Sequence, residues 1–169
     1  MQPKAIPSML SMVPSLFRGV GLDDLERIKA ITRNAYPSFP QLGTHELASW
    51  MEEADTAPLL IDVRSGAEFD VSHLQGAVNL SSVEAIAGRL RHPKPQRVVL
   101  YCSVGFRSSR IASLLAAQGL DGILNLEGSI FQWANEGRPV FRGPQRVHQV
   151  HPYGPRWAGL LKPGLAAGC

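Results

Sequence analysis

The most constraining stretch of the chain is Val98-Val99-Leu100-Tyr101-Cys102-Ser103-Val104-Gly105-Phe106-Arg107-Ser108-Ser109-Arg110. Four apolar, β-favouring residues run straight into a cysteine. An apolar run without alternation predicts a strand buried on both faces, as in the middle of a parallel sheet. A short loop with one glycine follows, then Arg107, then a segment that reads as a helix from Ile111 to Gln118. A cysteine at the C-terminal end of such a strand faces a helix N-terminus, with its unpaired N–H groups and the positive end of the helix dipole. Both favour the thiolate, which is the nucleophilic form of cysteine.

Similar units surround this one. Leu59-Leu60-Ile61-Asp62-Val63-Arg64 is a second buried strand that ends in charges. Charges there are costly unless paired, and the C-terminal edge of an α/β sheet is where ligands sit. Asp62 therefore reads as a brace for the loop carrying Cys102. Gly66–Asp70 is a short helical turn, Ser72–Ala77 a loop and Val78-Asn79-Leu80 a short strand. His73 reads first as a hydrogen bond tying that loop down and second as a base. Ser81 or Ser82 caps a helix through Arg91 with Val83, Ile86 and Leu90 inward, and His92-Pro93-Lys94-Pro95 is a hinge. The helix after Cys102 buries Ile111, Leu114 and Leu115 and stops at Gly119. Ile123-Leu124-Asn125-Leu126 is a strand, and Ile130–Ala134 a short helix ended by Gly137, with Trp133 in the core. Strands alternating with helices predict an α/β fold, a parallel sheet covered on both faces.

Upstream, a helix starts at Gly21-Leu22-Asp23-Asp24 and runs through Thr32, in an extension of residues 1–40. Thr44 caps the next helix, whose buried face is Leu47, Trp50 and Met51; His45 is a surface residue of its first turn. Residues 141–169 form a Pro/Gly-rich tail with Arg142, Arg146, Arg156 and Lys162 and no acidic residue. The chain's net charge of +3 thus belongs to the tail, and the pattern lacks the dense basic stripe of a nucleic-acid binder. Tyr153 and Trp157 predict a tail that packs on its own domain or on a second copy, which keeps a homodimer through the tails open. His148 and His151 lack further ligand candidates, so no metal is expected. No apolar run approaches the roughly 20 residues of a membrane span, and no secretory signal is read at the N-terminus. The two cysteines, Cys102 and Cys169, form no CxxC pair, which suits a reducing, cytoplasmic compartment; Cys169 reads as a frayed terminal thiol.

Cys102 to Arg107 spans six residues, C-x4-R. Gly105 allows a positive φ, so successive N–H groups can turn inward as an anion nest. Arg107 adds a fixed positive charge. Such a site suits attack on an electrophilic atom carrying negative charge: sulfur in a thiosulfonate or persulfide, or phosphorus in a phosphate ester. A phosphate cradle generally needs one more residue, C-x5-R, so the shorter loop favours sulfur.

At these residues the chain resembles the rhodanese (thiosulfate sulfurtransferase) family. Cys102–Arg107 looks like the family's C-x-x-G-x-R loop, and Leu60-Ile61-Asp62-Val63-Arg64 like its first strand motif. Glu68-Phe69 with His73-Leu74-Gln75-Gly76-Ala77-Val78-Asn79-Leu80 is similar to its E-[FY]…G-H-I-x-G-A-x-N signature, and Glu127-Gly128-Ser129 through Trp133 with Gly137-Arg138-Pro139-Val140 to its closing motif. The likeness runs from about Leu42 to Val140, so a domain of residues 41–140 is expected between the two extensions. It implies a five-stranded parallel sheet with helices on both sides. It implies a single-domain sulfurtransferase in which Cys102 carries sulfur as a covalent persulfide, with no other cofactor. Ser103, Val104, Gly105, Phe106, Arg107 and Ser108 would form the substrate loop, and Asp62 and Arg64 would support it. The implied partners are a small anionic sulfur donor and a thiol acceptor, which a protein could carry, with neither nucleic acid nor membrane. Ser72 and Ser129 stand where the family often has Gly, and neither is expected to touch the nucleophile. Ser103, Val104 and Phe106 give the loop an apolar rim, which predicts weaker thiosulfate binding and a bulkier or protein-borne donor. Two alternatives remain: a cysteine-dependent phosphatase or arsenate reductase on the same fold, and a non-catalytic redox or interaction module.

Overall fold

The strand that leads to Cys102, β4 (Val98–Tyr101), occupies the centre of the sheet, and every one of its residues is buried. The computed structural model describes residues 24–53, 57–91 and 95–168. The irregular stretch of residues 1–20, the helix start at Gly21–Asp23, His92-Pro93-Lys94 of the hinge and Cys169 lie outside the described residues. In chain order the first elements are α1 (Leu25–Ala35), β1 (Gln41–Leu42), α2 (Thr44–Glu52), β2 (Leu59–Asp62), α3 (Gly66–Val71), β3 (Val78–Asn79) and α4 (Val83–Arg91). After β4 come α5 (Phe106–Ala116), β5 (Ile123–Leu126), α6 (Ser129–Asn135), β6 (Val140–Arg142), β7 (Gln145–Val147) and a 3-10 helix, Pro155–Leu160.

Five strands form one parallel sheet in the order β1-β5-β4-β2-β3. Alternation along β4 sends its side chains to two separate cores. Val99 and Tyr101 join Leu47 of α2, Phe131 and Trp133 of α6, and Ile28 of α1. Val98, Leu100 and Cys102 join Ile86 and Leu90 of α4 and Ile111 and Leu115 of α5. Burying an aliphatic or aromatic side chain of this size contributes roughly 1.5–3 kcal/mol, so these two layers hold the sheet edge rigid. Register places Asp62 of β2 opposite Tyr101, one residue before the cysteine. Among the described residues, no helix is long and apolar enough to cross a membrane.

Several local expectations are corrected. The helix after the cysteine begins at Phe106, not Ile111, because Gly105 turns the chain directly into it. Leu114 is 44% exposed, since the helical repeat puts Ile111, Ala112 and Leu115 on the inner face instead. Thr44 does not cap α2; Gly43 holds that position, and the Thr44 hydroxyl donates to the Glu136 carboxylate. Of that helix's expected apolar face only Leu47 is fully buried, while Trp50 lies half-buried under the Arg97 guanidinium.

The tail has more structure than its composition suggested. Beyond the β6–β7 hairpin it returns over the domain, and Val150, Trp157, Leu160 and Leu161 enter the same core as Val99 and Tyr101. His73 anchors the hairpin: its backbone exchanges two 2.8 Å hydrogen bonds with Phe141. The Gly143 N–H donates to His73 Nε2. That bond leaves the ring's proton on Nδ1, which donates to the Leu74 carbonyl. Both nitrogens are occupied, so His73 is a tie and not a base.

Candidate active site

Cys102 is fully buried at the end of β4, and its Sγ accepts hydrogen bonds from the Gly105 N–H at 3.2 Å and the Ser108 hydroxyl at 3.5 Å. Burial pushes the thiol pKa up. The Arg107 charge, the hydroxyl and N–H of Ser108 and the N–H of Gly105 outweigh it, so the net shift is downward, toward thiolate.

Gly105 makes this geometry available. It adopts φ 100, and a Cβ there would stand 3.3 Å from the Asn125 side chain and 3.4 Å from the Leu126 carbonyl. A larger residue would be strained and crowded at once.

Arg107 lies in the first turn of α5 and forms a bidentate pair with Glu68 of α3: Nη2 to Oε1 at 2.7 Å and Nη1 to Oε2 at 3.1 Å. Ser103 completes the network, its hydroxyl donating to Glu68 and accepting from Arg107. Glu68 also closes a capping box with Ser65 at the start of α3, which fixes its direction. Burial alone would raise its pKa; the bonds from Arg107 and Ser65 and the charge of Arg64 instead hold it at about 2. Arg107 Nε is buried with no hydrogen-bond partner among the described residues. It is a spare donor on the cation whose charge acts on Cys102.

Asp62 and Arg64 sit one layer away. Their carboxylate and guanidinium pair at 2.6 Å with no exposed surface, and Arg64 also donates to the Ser72 carbonyl. Their side-chain bonds run to each other and to the loop after α3, while Glu68 bonds directly to Ser103 and Arg107. Arg64 reaches the Cys102 loop through its charge on Glu68 and by lying over the Tyr101 ring.

Two residues near the site escaped the sequence. Glu68 stood inside a recognised motif, but nothing local indicated that it would meet Arg107 39 positions later. Ser129, expected to stay clear of the nucleophile, accepts a 3.1 Å bond from the Cys102 N–H and donates to the Leu126 carbonyl. Its departure from glycine was visible; its reach was not. The apolar rim is also corrected: Val104 and Phe106 are core residues, and Ser103 faces inward to the ion pair.

Residues 44–136 match the family model of the rhodanese-like domain. A sulfurtransferase of Allochromatium vinosum is 38% identical over 89 residues, covering 52% of this chain and 82% of that protein. The probable adenylyltransferase/sulfurtransferase MoeZ of Mycobacterium tuberculosis is 31% identical over 96 residues, 56% of this chain but only 24% of its own length. A thiosulfate sulfurtransferase of Pseudomonas aeruginosa superposes with a TM-score of 0.59 at 16% identity, covering 75% of this chain and 26% of that one, a likeness of fold.

Proposed function

This chain belongs to the rhodanese-like domain family, and from that premise we propose that it is a sulfurtransferase working through a Cys102 persulfide. The Cys102 thiolate attacks the outer sulfur of a thiosulfate or another persulfide donor. The donor's S–S bond breaks, and sulfite or the donor thiolate leaves with the electron pair. The terminal sulfur then rests on Cys102 as an anionic persulfide. A thiol or cyanide attacks it, takes the sulfur, and returns the electron pair to Cys102. The observation that carries this reading is the convergence of the Gly105 N–H, the Ser108 hydroxyl and the Arg107 charge on one buried sulfur. Preorganised donors of this kind stabilise charge on the nucleophile before and after transfer. The spare Arg107 Nε–H suits the anionic end of a donor.

The expected donor is a small anion and the expected acceptor a thiol, free or on a protein, in a reducing cytoplasm. Intact-mass analysis after incubation with thiosulfate and with a panel of persulfide donors should show one added sulfur on Cys102, removed by cyanide. Cys102→Ser should abolish the adduct. No added sulfur with any donor would sink the reading, and Cys102-dependent hydrolysis of an aryl phosphate would replace it with a phosphatase.

A further inference from the structure

The bond between the Cys102 N–H and Ser129 departs from what a parallel ladder would give. Asn125 and Glu127 donate their N–H groups to the Pro40 and Leu42 carbonyls on the β1 side, so the backbone of Leu126 faces β4. Evenly spaced parallel rungs then offer the Leu126 carbonyl to the Cys102 N–H, just past the pairing of Leu100 with Asn125. The rung is split instead. The Cys102 N–H donates to Ser129 Oγ at 3.1 Å, and that hydroxyl donates to the Leu126 carbonyl at 3.0 Å. One hydroxyl is inserted where two strands would otherwise meet directly.

The insertion is held on every side. Ser129 is fully buried, and the next two N–H groups of α6, those of Ile130 and Phe131, donate to the carbonyls of Cys102 and Ser103. The Leu126 carbonyl also stands against Gly105, 3.4 Å from where a Cβ would lie. One carbonyl thus anchors Cys102 through Ser129 and packs against the residue whose N–H reaches Sγ. Ser129 reaches this place at φ 50, directly after Gly128 at φ 68. Left-handed backbone is costly for a residue with a Cβ, and it persists where the surroundings fix it, often at functional sites. Glycine would adopt this φ freely but would bring no hydroxyl.

We propose that Ser129 is a positioning residue for sulfur transfer: its hydroxyl tethers and spaces the Cys102 backbone so that Sγ meets the Gly105 N–H. Its two bonds run to Cys102 and Leu126, so it acts through the Cys102 backbone and not on the sulfur itself. With the hydroxyl and its Cβ gone, the rung closes directly. Cys102 then moves toward β5, and Sγ leaves its 3.2 Å contact with the Gly105 N–H. The link to transfer rests on the sulfurtransferase reading; the effect on the thiolate does not.

The test sets stability against reactivity in the full chain carrying Cys169→Ser, which leaves Cys102 as the sole thiol. Ser129→Gly relaxes the backbone and lets the rung close, so its melt stays cooperative. Its pH midpoint for alkylation of Cys102 by iodoacetamide should rise by about one unit, the effect of weakening one hydrogen bond to a charged group. Below both midpoints that is roughly tenfold less thiolate, and sulfur loading by whichever donor loads the parent should slow about as much. Ser129→Thr has the opposite signature. It keeps the hydroxyl but forces a β-branched residue to a left-handed φ, so its melt falls while its midpoint stays within about 0.3 units of the parent. An unshifted midpoint or undiminished loading in Ser129→Gly overturns the proposal, as does a Ser129→Thr midpoint that shifts as far as that of Ser129→Gly. Should Ser129→Thr lose its cooperative melt, Ser129→Ala takes its place: it keeps the strain, lacks the tether and must shift as Ser129→Gly does, and an Ala midpoint equal to the parent's overturns the proposal. A shifted midpoint in a chain that no donor loads would leave Ser129 positioning the thiolate and remove the sulfurtransferase reading; loading with an unshifted midpoint does the reverse.

Discussion

Two buried ion pairs lie at the same sheet edge and do different work. Asp62–Arg64 joins residues two apart in sequence; Arg64 also donates to the Ser72 carbonyl, and its Nη1 is buried with no hydrogen-bond partner among the described residues. Glu68–Arg107 joins α3 to α5, recruits Ser103, and places its cation where it acts on Cys102. Buried pairs are weak evidence of stability for their own sake, because desolvation offsets most of the attraction. The difference is one of address. The first pair fixes the loop after β2, and the second carries positive charge to a sulfur atom.

The sharpest way to break this comparison is to neutralise each cation in turn. Arg64→Met and Arg107→Met each strand a buried carboxylate, so each should lower unfolding stability by about 3–5 kcal/mol in urea titrations. Only Arg107→Met should raise the pH midpoint of Cys102 alkylation. Equal midpoint shifts in both variants would erase the distinction.

A second measurement uses acid. Glu68 has a folded pKa of about 2, below its ordinary value of 4.5, so it adds stability above the ordinary value and loses it as pH falls toward 2. The contribution is on the order of 3 kcal/mol. Glu68→Gln should therefore flatten the fall of the urea midpoint between about pH 5 and 2, and an unflattened curve would mean the pair does not persist in solution.

Smaller effects test the neighbours of each pair. On the cysteine side, Ser129→Ala leaves the Cys102 N–H buried without its acceptor, which costs about 1–3 kcal/mol. Ser129 sits at φ 50, so Ser129→Gly should cost less by relieving the backbone; thermal melts give the order. On the Arg64 side, His73→Gln should cost about 1 kcal/mol through the hairpin ties and leave the pH profile of sulfur transfer unchanged. A lost alkaline or acidic limb in that profile would restore His73 as a base.

Much of the fold was legible because it is written in local patterns. The buried runs at Leu59 and Val98, the helical spacing of Ile86 and Leu90, and the stop at Gly137 each need only a window of neighbours. Helix starts were less legible: Gly105 sends the chain straight into α5, and no side-chain cap marks the place. Of the site, Cys102, Gly105 and Arg107 stood out because a nucleophile, a positive φ and a cation fall within six residues. Glu68 and Ser129 did not, since a carboxylate and a hydroxyl acquire meaning only from what faces them. The tail was least legible of all, because aromatic residues between prolines and glycines carry no period that says where they land.

By itself the sequence determined the parallel α/β architecture, the family, and the loop that ends in Arg107, because all of these rest on hydrophobic period, backbone freedom and spacing along the chain. Which carboxylate holds Arg107, that Ser129 reaches the Cys102 amide, and that the Tyr153 ring stacks on the Arg107 guanidinium emerged only from the folded arrangement. Those contacts join residues far apart in the chain, and their energies come from desolvation and proximity, which exist only once the layers have closed.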